Sequence, residues 1–141
     1  MKNIFFCHPA MLSTGSAERK KNISSPIGSI DFNSASANDG RELGWAVSMP
    51  TGGVISDLIV RLTGADGNVD LLVAVRVNRV NTNVQVTFSG DAASVGTTKF
   101  GSGEISVNKG DLVSIYSEIL NAADVPLNAS LQASFVLKEN Q

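Results

Sequence analysis

The sequence is poor in the side chains that carry chemistry. Its 141 residues include one cysteine, Cys7, and one histidine, His8. A lone cysteine excludes a disulfide within the chain; an unpaired thiol is the plainer reading of Cys7, and an interchain disulfide is the alternative. A Ser-His-Asp triad or a Cys-His pair would have to use His8. Cys7 and His8 are adjacent, so their side chains tend to diverge and lack a scaffold. Zinc needs several Cys, His or carboxylate ligands in one cluster. The expectation is therefore a non-enzyme with no catalytic residue, no cofactor and no metal. Charge is scarce too, at 17% of residues with a formal net charge of -2, against an average of about 25%. That balance excludes the basic footprint of a nucleic-acid binder. No apolar run approaches the roughly 18 residues of a membrane span. Ile4 to Phe6 is too short for a secretory core of about 7–15 residues, and His8 and Pro9 follow it. The expectation is a protein without a classical signal peptide. No amphipathic helix of ten or more residues is visible. Parallel strands need such connectors, so the sheets should be antiparallel.

What the sequence does have is alternation. Residues 1–25 show no sustained period and carry Lys2, Arg19, Lys20 and Lys21, so they read as an N-terminal arm or linker. Residues 26–141 read as one β-sandwich domain. Candidate strands are Ile27 to Phe32, Leu43 to Met49, Val54 to Thr63, Leu71 to Arg79, Val84 to Ser89, Glu104 to Val107, Leu112 to Leu120 and Leu131 to Lys138. Val84, Val86 and Phe88 alternate with Gln85, Thr87 and Ser89, the clearest half-buried strand in the chain. About eight short strands at regular spacing predict an all-β, antiparallel two-sheet jelly roll, with an immunoglobulin-like sandwich as the rival.

Three strands look apolar on both faces. Ile55 and Ile59 lie opposite Val54, Leu58 and Val60; Leu72 and Ala74 lie opposite Leu71 and Val73; Val136 lies opposite Phe135 and Leu137. A solitary sandwich shows polar residues outward. Ile55, Ile59, Leu72, Ala74 and Val136 are therefore the expected oligomer interface. Tyr116 lies on the polar face of its strand and is the expected ligand contact, while Trp45 alternates with Val47 and is expected in the core. Asp66, Asn68 and Asp70 sit at a spacing that oxygen ligation of calcium can use, but these are also the usual turn residues. Loops 33–42, 64–70, 90–103 and 121–128 would carry recognition if the chain binds a glycan or surface receptor.

One resemblance adds to this reading. Ser25-Pro26-Ile27-Gly28-Ser29, then Trp45 to Ile55 with its Pro50-Thr51-Gly52-Gly53 step, then Val107 to Ile115 and the closing strand Leu131 to Leu137, resemble the C-terminal jelly-roll domains of bacterial collagen-like exosporium glycoproteins. Those domains belong with tumour necrosis factor and complement C1q-like trimers. The resemblance runs from about Pro26 to Leu137, and the Gly-X-Y repeat that precedes such domains is missing. It implies a self-assembling structural protein of a spore or cell surface, with a homotrimer favoured. Spore-appendage subunits are a looser relative, and they imply an N-terminal connector docking into the next subunit with Cys7 joining chains. The rival function is a receptor- or carbohydrate-binding module such as a phage fibre tip.

Overall fold

In the computed structural model the residues described are 3–13, 21–24, 46–121 and 127–140. They form ten strands: β1 (Asn3–Ser13), β2 (Lys21–Ser24), β3 (Val47–Ser48), β4 (Gly53–Ala65), β5 (Val69–Val77), β6 (Val80–Gly90), β7 (Thr98–Phe100), β8 (Ile105–Val107), β9 (Leu112–Ile119) and β10 (Asn128–Glu139). Among the described residues the only helical turn is a 3-10 turn at Ala92–Ser94, capped by the Asp91 side chain.

Two antiparallel sheets result. The first runs β1-β10-β4-β7, with β8 also on β4; the second runs β2-β9-β5-β6, with β3 also on β9. The fold is thus an all-β jelly-roll sandwich. Strands β4 and β5, β6 and β7, β8 and β9, and β9 and β10 each succeed one another across the two sheets, while β5 and β6 pair as a hairpin. Its two turn residues, Asn78 and Arg79, both have positive φ, at 51° and 70°. That is the pattern of a two-residue hairpin whose twist matches its strands. Asn78 then clips the turn to β9, accepting from Leu112 N at 3.0 Å and donating to Asp111 Oδ1 at 3.1 Å.

The core lies between the sheets. Ile55, Leu58, Val60 and Leu62 of β4 and Leu131, Phe135 and Leu137 of β10 face Leu71, Val73, Val75, Val113, Ile115 and Ile119 from the second sheet. Burial of side chains this size stabilises by roughly 1.5–3 kcal/mol each before chain entropy is subtracted. Ser117 is the exception: it is fully buried, and its Oγ has no hydrogen-bond partner among the described residues. A buried hydroxyl left unpaired costs about 1–3 kcal/mol. Ser117→Ala is therefore expected to raise stability by about 1 kcal/mol, read as a higher urea midpoint at unchanged slope. A lower midpoint would mean the hydroxyl is satisfied.

Several expectations change here. Parts of residues 1–25, read from sequence as an arm, are strands. β1 pairs with β10 from Asn3↔Lys138 to Ser13↔Asn128, and β2 pairs with β9. Pro9 hides this from sequence reading, yet an edge strand tolerates proline because one side needs no ladder bond. β7 lies in the stretch 90–103, read as loop. The expected strand Ile27 to Phe32, residue Trp45 and the loop 33–42 lie outside the described residues.

Candidate assembly surface

The outer face of the first sheet is built by β10, β4 and β7. Of two register shifts between β10 and β4, the one near Asp57 decides which residues at the start of β4 reach it. Between Ser134 and Val136 the register on β4 jumps from Ile59 to Ser56. Asp57 occupies the extra position with φ 57°. An aspartate takes this left-handed conformation more readily than most residues, because its short polar side chain bonds locally. The bulge reverses the inward–outward phase of β4. Ile55 joins Leu58, Val60 and Leu62 in the core with no exposed surface, while Ile59 is half-buried on the outside. The expectation that Ile55 and Ile59 share a contact surface is corrected for this reason: alternation fails across a bulge.

Outward of the core, among the described side chains, the face carries a small apolar centre with polar groups at either end of the strands. Phe100 on β7 is 74% exposed, and its Cα partner is Ile59, whose other partner is Ser134. Val136 is half-buried one row away. On one side Arg61 Nη2 donates to Gln132 Oε1 at 2.9 Å. On the other, Lys138 Nζ lies 3.1 Å from Asp57 Oδ2, which also accepts from Ser56 Oγ at 3.1 Å. The Lys138 contact leads in holding the Asp57 carboxyl below its usual range. Phe100 was missed by sequence reading. An aromatic isolated in a Gly, Ser and Thr stretch was the only available signal.

The outer face of the second sheet is different. Tyr116, expected to be open to ligand, is 6% exposed, and its Cα partner Ala74 is fully buried. Both expectations are corrected. The small Ala74 methyl and the Tyr116 ring form a second apolar cluster with half-buried Leu72 packed against it. The Arg76 guanidinium lies 5.4 Å from the ring centroid, a cation–π distance, and donates to Asn81 Oδ1 and the Arg79 carbonyl. The Tyr116 hydroxyl donates to Glu118 Oε2 at 3.2 Å. Burial, aided by the Glu118 charge, raises the Tyr116 phenol from 10.0 to about 12. A raised phenol favours the protonated fold, so its contribution is full below pH 10 and is lost as pH climbs toward about 12. Tyr116 is the sole tyrosine. Tyrosinate absorbance should therefore titrate with a midpoint near 12 in the folded protein and near 10 in denaturant. A folded midpoint near 10 would show the ring to be open.

The acidic loop residues act as struts. Asp66 accepts from both the side-chain and backbone N–H groups of Asn128, which hold its carboxyl below the usual range. Asp70 Oδ1 accepts from Ser89 Oγ at 2.5 Å, and Asp70 N donates to Asn121 Oδ1. Among the described residues no group of three His, Cys, Asp or Glu side chains is placed to hold a metal ion. Cys7 lies in β1 with Ser134 as its Cα partner, and His8 pairs with Ala133.

Comparison with known proteins returns fold likeness alone. Neither a scan against protein families nor a search of curated proteins gives a match. Among solved structures, the acid-stable capsid of Helicobacter pylori bacteriophage KHP30 is similar at 14% identity and TM-score 0.41, covering 96% of this chain and 92% of that one. The globular domain of zebrafish complement 1qA is similar at 16% identity and TM-score 0.40, covering 96% and 98%. A family 35 carbohydrate binding module from Clostridium thermocellum is similar at 16% identity and TM-score 0.37, covering 63% and 65%. No helix among the described residues is long and apolar enough to cross a membrane.

Proposed function

We propose that this chain is a non-enzymatic structural protein that assembles with copies of itself on a bacterial spore or cell surface. The observation that carries the reading is an outward apolar group among the described side chains of the first sheet: Phe100 at 74% exposure beside half-buried Ile59 and Val136. An outward apolar patch with a polar border is the ordinary anatomy of a protein contact. The resemblance over residues 26–137 supports the spore-surface placement and a trimer, and Leu72 and Cys7 are further candidates for contact and for an interchain disulfide. The rival reading, a carbohydrate- or receptor-binding module, loses Tyr116 as a stacking residue, because that ring is closed off. The test is native mass by light scattering, with and without reductant. A stable oligomer is expected, and reductant changes its mass only if Cys7 links chains. A monomer at high concentration overturns the reading. Deleting residues 1–25 is a poor test, because it strips an 11-residue strand from one sheet and β2 from the other.

A further inference from the structure

From the geometry of the first sheet we infer a two-fold contact between two copies of this chain, outer face to outer face, with the axis running along the row Ser134–Ile59–Phe100. The inference rests on the self-assembly reading above and names the surface it uses.

The row is fixed by pairing. Ile59 is the Cα partner of both Ser134 and Phe100. Along β4, Asp57 lies two residues to one side of Ile59 and Arg61 two residues to the other, and both are exposed. Along one strand the face therefore reads acid at the bulge, the apolar pair Ile59 and Phe100, then base. A two-fold axis along the row reverses the strand direction and turns the face over. Ile59 and Phe100 then meet their own counterparts. Arg61 of each copy comes over Asp57 of the other, twice per contact. Such isologous pairing requires a self-complementary patch, and opposite charges on the two sides of an apolar centre provide one.

Both groups keep hydrogen-bonding capacity beyond the bonds they make within the chain. Ser56 and Lys138 both bond Asp57 through Oδ2, so Oδ1 retains its acceptor capacity. Arg61 has a single described hydrogen bond, from Nη2 to the neutral Gln132. A guanidinium has five N–H donors, and the remaining ones can reach a carboxylate. Facing sheets stack about 10 Å apart, a gap that side chains as long as Arg61 and Phe100 can fill from both sides. A second copy is favoured over a foreign partner because the patch matches itself.

The experiment measures association of the full-length chain by sedimentation, alongside its thermal unfolding midpoint as a control for folding. Phe100→Asp should halve the native mass with the midpoint unchanged, because this side chain is exposed on a three-residue edge strand. Arg61→Gln and Asp57→Asn should each raise the dissociation constant about tenfold. Asparagine keeps the left-handed backbone accessible, so the bulge survives. Either single change breaks both charge pairs, so the double variant should be no weaker than the weaker single one. A roughly hundredfold, additive loss in the double variant would show that the two residues do not meet. Wild type that assembles while all the variants match it would overturn this contact and leave self-assembly standing. Wild type that stays monomeric would overturn both.

Discussion

Phe135→Ala is expected to destabilise the domain by about 3–5 kcal/mol, the range for truncating a fully buried aromatic. Phe135 is 1% exposed and lies on β10 between Ser134 and Val136, where β4 inserts its extra residue. Its ring fills the inner side of the bulge while Asp57 stands on the outer side. Removing it leaves a cavity that β4 cannot close, because the bulge already fixes the local twist. Against a total stability of about 5–15 kcal/mol, that loss is about a fifth of the reserve or more. A urea titration at fixed protein concentration would measure it. A loss below about 1 kcal/mol would mean that the two sheets do not pack through this residue.

Gly53→Ala should cost about 3 kcal/mol for a different reason. A Cβ built at Gly53 would stand 2.2 Å from the Lys138 carbonyl oxygen and 3.0 Å from its carbon. Both are backbone atoms of β10, so no side chain can swing away. Relief requires β10 to part from β4 near Gly53↔Glu139, where Asn140 N also bonds Gly52 O at 3.1 Å. Gly110→Ala is the comparison. Gly110 has φ 90° but nothing within 4 Å of a Cβ, so its change measures backbone strain without collision, about 1–2 kcal/mol. If Gly53→Ala costs no more than Gly110→Ala, the close approach of β4 and β10 is wrong.

These contrasts show what a linear pattern can and cannot carry. Val84, Val86 and Phe88 alternated plainly, and they form one side of β6 as expected. β5, β9 and β10 were legible for the same reason: each holds one phase along its length on the core side. β4 does not. Its phase turns over at Asp57, and no count of apolar spacing reveals where an aspartate will adopt positive φ. That single residue moved Ile55 inward. β7 has three residues and no period to detect, and β1 carries a proline that argues against a strand everywhere but an edge. Tyr116 was correctly placed on the outward phase of β9, but its environment depends on Ala74 and Arg76 from a neighbouring strand, which spacing along β9 cannot show.

The pairing of β1 with β10 sets a constraint on biosynthesis. Asn3 leaves the ribosome long before its partner Lys138, with nearly every other described strand made in between. Until β10 has been made β1 lacks this native partner, and the sheet they share cannot close. Topologies dominated by such distant partners fold slowly, on the order of milliseconds to seconds. During that wait an unpaired strand in a crowded polysome is exposed to the same segment of neighbouring nascent chains.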